Sequence, residues 1–475
     1  MRNFLALTFG LSAILFTACS GIGPLRSGMD YTVEVYGLSE DGLEAATSTG
    51  PGLNFPVYKA EFENGLTAII SPNHTLPIFS FYTFFDVGGR YEGEGTTGAT
   101  HFLEHMMFKG AQKYGPGEFD TSIEASGGRT NAYTTFDSTV YYQHLPSHML
   151  NRIIDMEADR MTDVLLNPQM VESERHVIFN ERKMRYENSP RGMLFLGMMQ
   201  NFFKGTPYGG SVIGEVEDLE SLTRDQLKEF FHKFYTPDNA IIVIVGDVDP
   251  DRTFREIARR YSHLEPSDED LLEYKAEKDD PKHYQRETSY GEHIRLTGSS
   301  PEPMFALAYA GEPLGEERGY VLDFLASILA SGESSYFYQQ FVSASRPQLT
   351  QVNASHYALK HDGIFFVMGS LLPGVSLDRF KNNLITQGRR ACSRAIDDRA
   401  VQKIKNQILV SFYSGLSTND GLAHFLGRRE YFYGDFRAYR DELKAYNSIT
   451  TQDVRQACRE IFESGRYIFV SVQQD

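Results

Sequence analysis

Alternating apolar and polar positions open the patterned part of the chain. Val57 to Phe62 alternates, Asn64-Gly65 follows, and Leu66 to Ile70 is apolar again. An Asn-Gly pair between two such runs predicts a β-hairpin, since both residues tolerate the positive φ angles of a tight turn. A third strand is predicted from Ile78 to Val87, stopped by Gly88-Gly89. Helical spacing then takes over from Thr100 to Phe108, with Gly110 as a C-terminal cap. The pattern predicts further helices near 117–126, 147–164, 168–187 and 224–233, and strands near 130–144 and 240–246. A second set follows: strands near 291–297, 304–310, 350–358, 362–369 and 467–472, and helices near 317–330, 334–344, 376–394 and 398–415. Strands followed by helices without strict alternation predict an α+β fold of two related domains, each a mostly antiparallel sheet covered by helices. Their common order of elements points to a diverged duplication.

Residues 263–286 carry charge and proline but little apolar periodicity, and mark the domain boundary. The predicted division is a signal peptide at 1–18, a tether at 19–54, a first domain at 55–265, a linker at 266–286 and a second domain at 287–475. The signal rests on Arg2 and the apolar run from Phe4 to Phe16, too short to anchor across a bilayer. Phe16-Thr17-Ala18-Cys19-Ser20 resembles a bacterial lipobox, although Phe16 stands where leucine is usual. Two outcomes stay open: lipidation at Cys19 with an outer-membrane destination in a Gram-negative bacterium, or simple cleavage and release. The expected location is exported and periplasmic, with membrane contact only through a lipid anchor.

The 475 residues are 41% hydrophobic and 23% charged, an ordinary globular balance. A net charge of −17 argues against general affinity for nucleic acid or anionic membranes. After Cys19 only Cys392 and Cys458 remain, which is no disulfide framework and no thiolate metal site. Two buried thiols are expected.

The chemistry concentrates at His101-Phe102-Leu103-Glu104-His105. On a helix, His101 and His105 lie one turn apart on one face, so both imidazoles can meet one ion. Glu104 sits beside them, placed to reach a water without being a ligand. With 13 histidines, H-x-x-E-H arises by chance on the order of a few times in a hundred such sequences. Zinc needs a third protein ligand and an open fourth position. The helix at 168–187 supplies candidates: Glu174 and Glu181 share one face two turns apart, and His176 points elsewhere.

With these motifs the chain from about residue 57 on resembles the pitrilysin/insulinase family of zinc peptidases. The resemblance implies one zinc per chain on His101, His105 and Glu181, with Glu104 as catalytic base and Glu174 steadying a liganding imidazole. Asn131, Ala132 and Tyr133 match the edge strand that binds substrate backbone. Pro207-Tyr208-Gly209, Ile213-Gly214 and Val245-Gly246-Asp247 match later family signatures and read as turns and packing. The implied activity is endopeptidase hydrolysis of unfolded peptides inside a closed chamber.

Such a chamber takes four domains, and this chain supplies two. The arginine and tyrosine that the family's non-metal half contributes are replaced here by Val342 and Gln351, with Arg346, Tyr338 or Tyr357 as substitutes. That implies a second pitrilysin-like subunit in a heterodimer; a homodimer using other residues is the alternative. A catalytically silent assembly subunit of the same fold is the rival reading, and it predicts a damaged metal motif.

Overall fold

In a computed structural model of the protein, residues 29–36, 55–299 and 302–474 are described. They form a two-domain α+β fold. The first sheet comprises β1 (Tyr31–Tyr36), β2 (Val57–Phe62), β3 (Thr67–Pro72), β4 (Ile78–Phe85), β5 (Arg129–Thr134), β6 (Thr139–Pro146) and β7 (Ala240–Gly246), in spatial order β1-β2-β3-β7-β4-β6-β5. Its helices are α1 (Ala99–Met106), α2 (Glu118–Ala125), α3 (Leu150–Thr162), α4 (Pro168–Arg182), α5 (Pro190–Phe202), α6 (Val216–Ser221), α7 (Arg224–Phe234) and α8 (Pro250–Arg260). The second sheet comprises β8 (His293–Thr297), β9 (Met304–Ala310), β10 (Leu349–Ala358), β11 (Gly363–Leu371) and β12 (Tyr467–Gln473), ordered β10-β11-β9-β12-β8.

The duplication is visible in this order. Strands β3 to β7 and β8 to β12 each run third-fourth-second-fifth-first across their sheet. In both, the first and last strands pair parallel and the remaining neighbours antiparallel.

Three expectations need correction. Part of the stretch read as tether, Tyr31–Tyr36, is strand β1, paired antiparallel with β2 from Tyr31↔Phe62 to Tyr36↔Val57. The segment read as an irregular linker contains helix α9 (Glu269–Lys278), which buries Leu271 in the first domain's core. Cys392 and Cys458 are not free thiols: they form a disulfide between α11 (Leu377–Arg394) and α15 (Thr451–Glu463). The signal run and Cys19 lie outside the described residues.

The second domain is completed by α10 (Glu317–Ala330), α12 (Asp398–Gly415), α13 (Asn419–Tyr433) and α14 (Tyr439–Ser448). The domains interlock by exchanging helices. α5 of the first domain packs on β8, β9 and β12, while α13 of the second packs on β4 and β7. Each carries a glycine at the crossing. A methyl at Gly197 would come within 2.6 Å of Leu296, and one at Gly427 within 2.1 Å of Phe84.

A buried polar node locks the seam. Arg90, fully buried, faces Asp137 at 3.1 Å and also pairs with Asp279 just beyond α9. Asp279 in turn meets Lys360 and His361 of the second domain, both at 3.2 Å. Tyr208 donates to Asp137 at 2.9 Å, and Tyr431 donates to Asp86 at 2.8 Å. Removing Arg90 would leave Asp137 buried without its cation.

Candidate metal centre

Helix α1 is short and held at both ends. Its first residues follow Gly98, whose φ of 87° lies in the left-handed region and whose missing side chain lets Ile213-Gly214 approach. A Cβ there would come within 2.3 Å of the Ile213 carbonyl. Since Gly98 cannot cap, Glu92 reaches in and accepts from the N–H groups of Gly98 at 2.7 Å and Thr100 at 2.8 Å. The helix ends at Met106, four residues before the left-handed Gly110. It packs against α4, α7 and β5.

α4 starts on Pro168, with Asn167 accepting from Gln169 N–H as the cap. Arg175 donates to the Leu219 and Leu222 carbonyls, and Arg182 donates to Gly214 O at 2.9 Å and pairs with Glu215 at 3.0 Å. These ties fix the helix relative to α1.

The result is a convergence of three donor atoms. Glu181 Oε2 lies 3.6 Å from His101 Nε2 and 3.3 Å from His105 Nε2, and the ring centroids are 4.7 Å apart. Ligand atoms in a tetrahedron with zinc bonds of 2.0–2.1 Å stand about 3.4 Å apart, so this donor set fits a divalent ion of that size. Among the described residues, His101, His105 and Glu181 are the one group of three or more His, Cys, Asp or Glu side chains so arranged. His176 is not among them; it is exposed and faces Glu172 at 3.6 Å.

Around these three stand their supports. His105 Nδ1 hydrogen-bonds Glu174 Oε1 at 2.8 Å, which leaves Nε2 toward Glu181. Lys109 holds the other Glu174 oxygen at 2.8 Å. Glu104 is buried beside the histidines and accepts from the Thr134 hydroxyl of β5.

Electrostatics follow this layout. Burial, with the neighbouring His105, pushes His101 down to about 4, a neutral imidazole able to donate a lone pair. Burial also disfavours the His105 cation, but hydrogen bonds to Glu174 and Glu181 override it and lift the group to about 9. Glu181, hydrogen-bonded to His105, is lowered to about 2 despite burial. Burial raises Glu104, against the pull of the Thr134 hydrogen bond.

Among the described residues strand β5 is an edge strand, paired only with β6. Its alternation splits the predicted substrate-binding residues between two faces. Ala132 and Thr134 face the first domain's core and α1, whereas Tyr133 meets His424 of α13 at 3.1 Å and Asn131 is exposed. Tyr357, on the second sheet's edge strand, lines with Tyr133 a cleft of about 490 Å³ between the domains. Tyr338 opens the π-helical turn Tyr338–Val342, and Arg346 is exposed on the loop after it.

Sequence reasoning did not single out Glu92, Lys109, Thr134 or Arg185. Only Thr134 carried a signal: its period-two position relative to Ala132 puts it on the inner face of the strand.

The sequence matches the family description "Insulinase (Peptidase family M16)" over residues 69–216, and "Peptidase M16 inactive domain" over 221–408. The zinc protease PqqE of Helicobacter pylori is 25% identical over 407 residues, covering 84% of this chain and 89% of that one. A probable mitochondrial-processing peptidase β subunit of Arabidopsis thaliana is 24% identical over 379 residues, covering 78% and 70%. A crystal structure of a protease from Helicobacter pylori shares the fold with a TM-score of 0.79 at 24% identity, covering 88% of this chain and 99% of that one.

Proposed function

We propose, from the premise that this chain belongs to the insulinase family of peptidases (peptidase family M16), that it is a zinc-dependent endopeptidase centred on His101, His105 and Glu181. The observation that carries the reading is the meeting of those three donor atoms with Glu104 poised alongside. Zinc, when bound, supplies a Lewis acid and makes a hydroxide nucleophile available near neutral pH. Glu104 takes the proton from the attacking water and passes it to the leaving amine, with Thr134 orienting its carboxylate. Glu174, itself held by Lys109, keeps the proton of His105 on Nδ1. The exposed edge of β5 gives an extended peptide backbone a strand to pair with, so unfolded peptides are the substrates.

The working unit is a dimer in which a second subunit of the same family closes the chamber. Relatives named as β subunits of mitochondrial-processing peptidase favour a heterodimer. The silent-subunit alternative has no damaged residue in the metal set to support it. Export is the proposed route, with lipidation at Cys19; the Cys392–Cys458 disulfide accords with an oxidising compartment.

A quenched-peptide assay with and without chelator tests the reading. Glu104→Gln should lower turnover by about 10²–10⁴-fold or more while metal stays bound. Chelator-insensitive cleavage, or an active Glu104→Gln variant, would overturn it.

A further inference from the structure

Glu181 presents its two oxygens to different partners. Oε2 faces both imidazoles, and Oε1 faces the guanidinium of Arg185 at 2.7 Å. Arg185 is not on α4 itself. It lies in the π-helical turn Lys183–Glu187 that continues the helix, closed by Asn188 N–H donating to Lys183 O at 2.8 Å. Single π-turns recur at functional sites because they re-aim side chains without ending the helix. This one starts from a fixed point, since Arg182 is pinned to the Gly214 loop.

The Arg185 side chain is 63% exposed, so packing does not force it toward the metal centre. An exposed ion pair of this kind contributes little to stability. Its placement has a consequence for ligation instead. An unrestrained carboxylate can offer an ion both oxygens, and the second would occupy the position a catalytic zinc must leave for water and substrate.

We propose that Arg185 is a positioning residue: by binding Oε1 it keeps Glu181 a one-oxygen ligand and keeps the fourth position on the metal free. This rests on the peptidase reading above. Arg185 supplies no proton and forms no bond to substrate; it acts through Glu181.

The contrast with an ordinary supporting residue is one of sign. Loss of Glu174 or Lys109 loosens the ligand set and should weaken both metal binding and turnover. Loss of Arg185 removes a positive charge from the neighbourhood of the ion and releases a second oxygen to it. Metal should then bind more tightly while turnover slows.

The test compares the wild type, Arg185→Met and Arg185→Lys. Zinc affinity is measured by competition with a chromogenic chelator, and kcat and KM with a quenched peptide. Arg185→Met should bind zinc roughly tenfold more tightly, through loss of a like charge and gain of an oxygen. Its kcat should fall about 10–100-fold with little change in KM. Arg185→Lys keeps the charge and should restore most of the wild-type zinc affinity and part of kcat. The unfolding midpoint of metal-free Arg185→Met should match that of the wild type. Tighter zinc with slower turnover supports the inference; any other combination in Arg185→Met overturns it. A wild type that binds zinc and cleaves peptide beside an unchanged Arg185→Met defeats this inference alone, whereas a wild type that does neither defeats the peptidase reading with it.

Discussion

Acids, bases and guanidinium groups are buried across the first domain, while the second, tyrosines aside, buries fewer and no guanidinium among the described residues. Among the described residues, the first encloses Arg90, Glu92, His101, Glu104, Asp137, Glu157, Arg160, Glu174 and Arg182. The second encloses Asp362 and Glu430, which pair with Arg286 at 3.1 Å and Lys59 at 2.7 Å, and the side chains of His293 and His356. Yet the two share one strand order. The helix that follows the second strand of the unit is α1 in one and α10 in the other. α10 is longer, largely apolar and has no histidine. Burying an ion costs several kcal/mol unless partners compensate it. The first domain bears that cost at the seam node and around His101, His105 and Glu181, where buried partners compensate it. The second relies on an apolar core and a disulfide. The strand order is therefore the shared part, and the candidate metal ligands stand on one copy.

The largest effect that bears on this contrast comes from the seam. Arg90→Met would leave Asp137 buried without its cation and take one of three cationic partners from Asp279, and should cost about 3–5 kcal/mol in denaturant unfolding. A loss under 1 kcal/mol would mean that the node does not hold the domains together. Next comes the helix exchange. Glycine to alanine inside a helix ordinarily stabilises by about 1 kcal/mol. At Gly427 the added methyl meets the Phe84 ring, so Gly427→Ala should instead destabilise by about 1–3 kcal/mol. A stabilised variant would break the interlock argument.

A third effect, of similar size, is a pH slope. Burial lifts Glu92 to about 7, above its ordinary 4.5, although the Thr100 and Gly98 N–H groups pull the other way. Between those values the folded protein holds a proton that the unfolded chain has released. The contribution is thus present below about pH 4.5 and is lost as pH rises through about 7. Glu92→Gln should remove this slope. Unfolding measured at pH 5 and 7.5 should show the wild type losing about 1–3 kcal/mol relative to its variant; parallel curves would place Glu92 in an ordinary solvated environment.

What could be read in the sequence depended on how many surfaces an element touches. Amphipathic α11 and α12, and the strands β9 and β10, came out within a residue of their observed bounds. The exchanged helices α5 and α13 went unseen. Pro190–Phe202 is apolar on several faces because it lies between its own domain and the other sheet, so no single stripe stands out. The disulfide was hidden for a related reason: its second helix, α15, was not recognised, and 66 residues separate the cysteines. The candidate metal ligands His101 and His105 were legible because their spacing along one helix is local, whereas Glu181 was set apart from Glu174 only by the family resemblance. Glu92 and Arg185 were not legible, since their roles come from a loop approach and a π-turn.

The most direct test is the metal content of the purified protein, measured by elemental mass spectrometry alongside Glu181→Gln and His105→Ala. One zinc per wild-type chain, with little or none in either variant, is the expected result. Full zinc in both variants would place the ion elsewhere, and a wild type free of zinc after growth in zinc-replete medium would contradict the assignment of this centre.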